Sequence, residues 1–140
     1  MEQIEIMRLD SDAILPTRAH SNDAGLDLYG LENQTIEPGQ GKMLRTGVAM
    51  AIADGFVGQV ADRSSYARKG LKTAGGIIDA GYRGEVQIIM RNLTNAPIHL
   101  EKGDRIAQLL IVPISTPSVK EVTELSDTHR GEKGFGSSGR

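Results

Sequence analysis

Short apolar runs with a period of two recur along this chain, and turn residues separate them. Residues 4–9 and 48–52 carry apolar side chains at alternate positions, which is typical of strands with one buried face. Residues 106–114 form a strongly apolar run that is typical of a buried strand. The pair Asp54-Gly55 and the triplet 102–104 supply tight turns. Many short strands joined by turns predict an all-β barrel or double-sheet sandwich.

The other local signals fit the same fold class. Residues 61–70 are the one place where a short turn of helix is expected, with Asp62 or Ser64 as its predicted N-cap. Residues 73–92 are predicted to form a hairpin. Residues 119–122 are predicted to form a last short strand. Very little helix is therefore expected.

Length and composition limit the classes of protein that the chain can represent. The 140 residues fit one β-barrel domain, predicted at residues 1–129, and a glycine-rich C-terminal arm at residues 130–140. The chain has no cysteine, and the three histidines, His20, His99 and His129, lack the spacing of metal ligands. A net charge of −2 predicts no nucleic-acid partner. With no signal peptide and no membrane-length apolar run, we expect a cytoplasmic protein without membrane contact.

A first candidate anion site lies in the segment that is expected to be helical. Arg63 stands beside Ser64 and Ser65 at the start of the turn. A guanidinium group, hydroxyls and free backbone N–H groups together bind anions, and phosphate suits them best. A capped surface helix with solvated charges has the same sequence pattern, so both interpretations stay open here.

The C-terminal arm repeats this chemistry. It places Arg130, Phe135, Ser137 and Ser138 among glycines, which let backbone approach a ligand closely. It is not a P-loop, because Ser137 stands where that motif has lysine. The alternative interpretation is a flexible terminus. An aromatic side chain such as that of Phe135 has little use in such a terminus unless it stacks on a ligand.

Four more residues complete the candidate set. Asp79 follows two isoleucines at a predicted turn, where it is either a turn residue or a general base, and Tyr82 lies in the same turn. Asp27 lies between two leucines and is either a turn cap or a partner of metal-bound water. Gln108 interrupts an apolar strand and must be hydrogen-bonded if it is buried. Combined with the two arginine–serine segments, these residues predict a nucleoside polyphosphate site and hydrolysis by water.

Five segments of the chain resemble, in order, the motifs of the trimeric dUTPase family. They read AGLDL (24–28), DRSSYARKG (62–70), GGIIDAGYRGEV (75–86), GDRIAQL (103–109) and RGEKGFGSSG (130–139). The resemblance implies an all-β, jelly-roll-like fold and a homotrimer whose active sites are built from three chains. It implies hydrolysis of dUTP to dUMP and pyrophosphate with Mg²⁺, by attack of water on the α-phosphorus. That reaction limits uracil incorporation into DNA and supplies dUMP.

The resemblance also implies a role for each matched residue. Asp79 would activate the attacking water, Tyr82 would pack under the deoxyribose, and Asp27 would orient Mg²⁺-bound waters. Catalysis would rest on Asp79, Arg63 and Gln108. Phosphate contacts would come from Arg63, Ser64, Ser65 and Gln108, and from Arg130, Gly136, Ser137 and Ser138 as the arm closes over the active site. Base contacts would come from hairpin backbone at Thr73, Ile77, Ile78 and Gln87, with Phe135 stacked on uracil.

The chain departs from the family pattern at three positions. Asp62 stands where proline is common, Gly81 replaces an acidic residue, and Thr73 occupies a position where some relatives use asparagine. A dCTP deaminase of the same fold is the alternative enzyme, but that family has a glutamate where this chain has Ile89. A non-catalytic jelly roll that binds a polyanion or forms a structural shell is the alternative from another class.

Overall fold

The computed structural model describes residues 3–136 and is built almost wholly from strands, as predicted. The elements are β1 (Glu5–Arg8), β2 (Leu26–Tyr29), β3 (Gln34–Ile36), β4 (Gly41–Arg45), β5 (Val48–Ala51), β6 (Phe56–Ala61), α1 (Ser64–Arg68), β7 (Leu71–Ala74), β8 (Ile77–Ile78), β9 (Gln87–Asn92), β10 (Ile98–Leu100) and β11 (Arg105–Pro113). No helix in this part of the chain is long and apolar enough to cross a membrane.

The strands form two main antiparallel sheets that share one core. One sheet has the order β2-β11-β6-β8 and the other has the order β4-β9-β7. Two further antiparallel pairs, β1-β5 and β10-β3, form separate two-stranded sheets. Leu28 and Leu109 from the first sheet and Ile88 and Met90 from the second are fully buried in a single cluster. Each such side chain stabilises the fold by about 1.5–3 kcal/mol, and the arrangement confirms the jelly-roll-like prediction.

The predicted hairpin at residues 73–92 divides between the two sheets. Strands β7 and β9 pair as expected, with Thr73 opposite Met90. Strand β8 leaves that ladder and pairs with β6 instead. Gly75 and Gly76 allow this change of sheet, because their φ angles of 65° and 91° lie in the left-handed region that favours glycine. The prediction of a continuous hairpin is therefore wrong for β8. The segment from β7 to β9, residues 71–92, is called the hairpin segment below.

Two local predictions are also wrong. Helix α1 begins after Arg63, which is its N-cap residue and makes no side-chain capping hydrogen bond. Neither Asp62 nor Ser64 caps the helix, because the Asp62 carboxylate hydrogen-bonds to Thr73 in β7 instead. Residues 119–122 form no strand, since the last strand within residues 3–136 is β11. That segment is exposed and finds no neighbouring strand in the described chain.

Candidate active site

The register of the first sheet brings three of the predicted motifs side by side. Strand β11 lies between β2 and β6, and Gln108 is paired with Asp27 on one side and with Ala61 on the other. Residues opposite each other in a ladder point to the same face of the sheet. Arg63 follows Ala61 by two residues and therefore reaches the same region. The positions of three distant motifs are thus fixed by one strand.

Asp27 lies between two arginine side chains in this region. Its carboxylate is 3.6 Å from the Nε atom of Arg63 and 3.9 Å from the Nε atom of Arg105. The Nη1 atom of Arg63 donates a hydrogen bond to the backbone carbonyl of Arg105 at 2.9 Å. These contacts hold the Arg63 guanidinium in a defined orientation. We call Asp27, Asp62, Arg63, Arg105 and Gln108 the arginine cluster.

Gln108 and the two serines occupy different positions around Arg63. The Nε2 atom of Gln108 donates to the backbone carbonyl of Asp62 at 2.8 Å, which satisfies the expectation that this polar side chain is hydrogen-bonded. Ser64 and Ser65 are exposed on the first turn of α1. Both serines are therefore accessible from solvent beside Arg63.

The Asp62 carboxylate connects this cluster to the hairpin segment. Its Oδ1 atom accepts hydrogen bonds from the backbone N–H of Thr73 at 2.6 Å and from the Thr73 hydroxyl at 2.7 Å. Its Oδ2 atom accepts from the Nζ atom of Lys72 at 2.9 Å. Burial raises the pKa of Asp62, but the hydrogen bonds from Thr73 and Lys72 outweigh it and leave this pKa below its usual value.

A cleft of about 180 Å³ opens beside the turn of the hairpin segment. Its lining is mainly apolar and consists of Met43, Ile77, Ile78, Tyr82, Glu85, Gln87 and Ile89. Ligand pockets usually enclose about 300–1,000 Å³. This cleft therefore has room for a base or a sugar, and a whole nucleotide bound here needs further walls.

Tyr82 is held in this cleft by its immediate neighbours. Its hydroxyl donates to the backbone carbonyl of Glu85 at 2.8 Å. A Cβ atom at Gly84 would lie 2.5 Å from the Tyr82 hydroxyl oxygen, so the close approach of the ring requires glycine there. The Glu85 carboxylate is itself fixed by the Nε atom of Arg45 at 3.2 Å and the backbone N–H of Gly47 at 2.9 Å. The ring is therefore preorganised and remains partly exposed to solvent.

Along the chain, Asp79 stands between two residues that line the cleft, directly after Ile78 and three residues before Tyr82. Its carbonyl accepts a hydrogen bond from the Tyr82 N–H at 3.1 Å, which closes a four-residue turn. The Asp79 side chain is exposed, and its carboxylate has no hydrogen-bond partner within residues 3–136. A carboxylate in this state is free to accept a proton from water.

The arginine cluster lies at the C-terminal end of β6, whereas the cleft residues of β8 pair with the middle of that strand. Gly58 is paired with Ile78, whereas Ala61 is paired with Gln108. Three residues of strand separate these rows, which is about 10 Å at about 3.3 Å per residue. Asp79 and Arg63 continue away from their rows in opposite directions, so their separation is larger still. The chain does not bring these two predicted site residues together.

Other predicted site residues stand outside both groups. Thr73 is buried and does not line the cleft, and both of its donors are occupied by Asp62, so its predicted base contact stays a prediction. Arg130 donates to the carbonyl of Lys133 at 2.5 Å within the arm. Phe135 is fully exposed, and Gly136 is the last described residue. Ser137 and Ser138 lie outside the described residues.

Direct metal coordination finds little support in the side chains of residues 3–136, which contain no group of three or more potential ligands of the His, Cys, Asp and Glu types. Asp27 is the one predicted metal partner, and both of its oxygens already face arginines. A single carboxylate fits Mg²⁺ that is bound mainly by water and substrate phosphates, which is common for this ion. The arrangement therefore suits a water-mediated contact.

Several lining residues were missed by the sequence analysis. Ile89 has a simple signal, because alternation along β9 places it on the same face as Gln87. Met43 reaches the cleft because β4 pairs with β9 and sets Met43 opposite Ile89. Glu85 is held in the lining by its contact with Arg45. Arg105, which was also missed, belongs to the arginine cluster through its contact with Asp27. These contacts depend on strand pairing that the sequence does not display.

Together, the fold and the two groups define a jelly-roll-like protein that is equipped for a phosphorylated ligand with an apolar or aromatic part. A family model described as dUTPase matches residues 11–139 of the chain. A relative from Mycolicibacterium gilvum (strain PYR-GCK), named deoxyuridine 5'-triphosphate nucleotidohydrolase, is 46% identical over 145 residues, covering 97% of this chain and 94% of the relative. The chain belongs to the dUTPase family.

Solved structures agree with this assignment. The fold is similar to that of Staphylococcus bacteriophage 80alpha dUTPase with dUPNHPP, with a TM-score of 0.95 and 36% identity over 100% of both chains. It is also similar to a mutant dUTPase from phage phi11 of S. aureus, with a TM-score of 0.85 and 30% identity. That match covers 90% of this chain and 100% of the phage chain, and the phage structure is described as coordinating a structural Mg(II) ion.

Proposed function

We propose that this chain hydrolyses dUTP to dUMP and pyrophosphate by attack of water on the α-phosphorus. The observation that carries the proposal is the exposed carboxylate of Asp79, which follows Ile78 and precedes Tyr82, two residues that line the cleft. Asp79 accepts a proton from the attacking water, which makes the oxygen a better nucleophile. The electrons of the new P–O bond come from that water, and pyrophosphate leaves with the electrons of the broken bond.

The remaining residues bind and orient the substrate in this proposal. The face of Tyr82 packs against the deoxyribose, and the ring leaves no room for a ribose 2′-hydroxyl. The backbone of Ile77, Ile78 and Gln87 contacts uracil, and Phe135 stacks on the base when the arm closes. Arg63, Ser64, Ser65 and Gln108 hold the phosphate chain, and Arg130, Gly136, Ser137 and Ser138 close over its end. Bound Mg²⁺, with Asp27 nearby, offsets the negative charge of the triphosphate.

We also propose that the active enzyme is a homotrimer with active sites shared between chains. The separation of Asp79 from Arg63 along β6 supports this arrangement, because a triphosphate site needs both and one chain keeps them apart. The small volume of the cleft supports it as well. We place the enzyme in the cytoplasm, where nucleoside triphosphates are made and used, and we treat residues 130–136 and those beyond as a closing arm.

Deamination of dCTP is disfavoured by the lining of the cleft. Ile89 occupies the position of the glutamate of that family, and its side chain faces the cleft beside Met43. The nearest carboxylate in the lining, that of Glu85, is occupied by Arg45 and Gly47. Neither the cleft nor the free Asp79 carboxylate is explained by a non-catalytic jelly roll.

One assay tests the function directly. Purified protein is incubated with Mg²⁺ and dUTP, dCTP or UTP, and the products are separated. We expect pyrophosphate from dUTP, little from UTP, and no ammonia from dCTP. Asp79→Asn is expected to abolish turnover while dUTP binding stays largely intact. Ammonia from dCTP, or no product from dUTP, contradicts the proposal, and equal losses of binding and turnover in Asp79→Asn make Asp79 structural.

A further inference from the structure

Residue 62 touches three segments that carry different motifs. It directly precedes Arg63, its backbone carbonyl accepts from the Gln108 side chain, and its carboxylate accepts from Thr73. The carboxylate does not pair with its neighbour Arg63, whose guanidinium lies against Asp27. The negative charge introduced by Asp62 is thus directed away from the anion-binding side of the loop.

The contact with Asp62 gives the backbone N–H of Thr73, at the outer edge of β7, a hydrogen-bond acceptor. Strand β7 is the outer strand of its sheet, with β9 as its one neighbour. The Thr73 N–H points outward from that edge and is buried, so it needs an acceptor from elsewhere. The Oδ1 atom of Asp62 accepts both from this N–H and from the Thr73 hydroxyl. Loss of that single oxygen leaves two buried donors without their partner.

Proline at position 62 would keep the carbonyl but could not supply this acceptor. We propose that Asp62 is a positioning residue for dUTP hydrolysis, which ties the loop carrying Arg63 to the start of the hairpin segment at Thr73. It acts through Thr73 and Gln108 and does not touch the substrate. The inference rests on the proposed function, since Arg63 and the hairpin segment are assigned there to phosphate and nucleoside binding.

The test compares kcat and KM for dUTP across matched variants of the full chain. Asp62→Ala is expected to lower kcat/KM by about 10- to 100-fold, mainly through kcat, because a misplaced group costs catalysis more than folding. Asp62→Asn is expected to stay within about threefold of the unaltered chain, because its one carbonyl oxygen can accept both Thr73 donors. Lys72→Met is the control and should stay within about twofold, since the Lys72 side chain is exposed and both Thr73 hydrogen bonds to Asp62 remain.

Coupling to Thr73 gives a second readout. Thr73→Val removes the hydroxyl donor, and in the Asp62→Ala background it should add less than about twofold, because contacting residues that act together are non-additive. Thermal unfolding separates loss of activity from loss of fold. If Asp62→Ala does not fold, Thr73→Val takes its place and must lower kcat at an unchanged unfolding midpoint.

Several results overturn the inference. Asp62→Ala activity within threefold of the unaltered chain shows that the contact does not position the site. Asp62→Asn activity as low as that of Asp62→Ala shows that charge, and not the paired hydrogen bonds, is responsible. A folded Thr73→Val with unaltered kcat also counts against it. If the unaltered chain itself does not hydrolyse dUTP, the proposed function fails, which is a distinct outcome.

Discussion

Subunit complementation follows from the separation of Asp79 and Arg63 along β6. Asp79→Asn removes the proposed base, and Arg63→Ala removes the proposed phosphate contact. Each single-variant trimer is expected to lose about 10²-fold or more of the unaltered activity. If every active site takes Asp79 from one chain and Arg63 from a neighbour, a mixed trimer can regenerate an intact site.

The expected recovery follows from symmetry. In a cyclic trimer with two chains of one variant and one of the other, three ordered neighbour contacts exist. One of the three joins a chain with intact Asp79 to a neighbour with intact Arg63. Mixed trimers of either composition should therefore recover about one third of the unaltered activity per trimer. If both residues come from the same chain, no intact site arises and recovery is zero.

The assay uses co-expression of the two variants with different affinity tags and purification by both tags. Pyrophosphate release from dUTP is then measured per mole of trimer. The control pairs Arg63→Ala with Gln108→Leu, which affect neighbouring side chains of one chain's arginine cluster and should not complement each other. Activity of the Asp79–Arg63 mixture no higher than that of the single variants would refute the proposed division of the site.

Three further predictions concern other parts of the molecule. Truncation before Arg130 should strongly reduce turnover and leave the thermal unfolding midpoint nearly unchanged, because the hydrogen bonds found for residues 130–136 reach no further than Thr128. Gly84→Ala should displace the Tyr82 ring and narrow the difference in kcat/KM between dUTP and UTP by about tenfold. Burial raises the pKa of Asp62, but the hydrogen bonds from Thr73 and Lys72 outweigh it and hold this pKa below its usual value. Asp62 thus stabilises the fold above that usual value and loses this effect as the pH falls through the lower folded pKa. Asp62→Asn should therefore weaken the pH dependence of the unfolding midpoint below about pH 4.

The fold class was predictable because it follows from local sequence patterns, namely the period of the apolar residues and the positions of the turn residues. Alternating or continuous apolar runs and turn residues identified β1, β5 and β11 to within a few residues. The one short helix was also found, since a cluster of polar residues after an apolar strand is a strong local signal. The prediction of its cap failed because Asp62 found a partner in β7. Capping competes with tertiary contacts, and the sequence does not show which partner is nearer.

The candidate site was predictable as a set of residues but not as an arrangement. The sequence identified Asp27, Arg63 and Gln108 separately, and only the pairing of β11 with both β2 and β6 brings them together. The change of sheet at β8 was not predicted, although it sets the distance between the two groups. Strand pairing joins residues far apart in sequence, so period and propensity do not determine it.

Charge gives a separate reason to expect that the arginine cluster needs additional positive charge from outside its own chain to bind a triphosphate. The cluster holds two cationic and two anionic side chains, Arg63, Arg105, Asp27 and Asp62, so no net positive charge remains. A nucleoside triphosphate carries about four negative charges, and its transition state concentrates them near the cleaved bond. The deficit is large for a protein whose overall charge is −2. Magnesium bound to the phosphates and the cationic arm of another chain would both reduce it, and closure of that arm would supply its charge only when substrate is present.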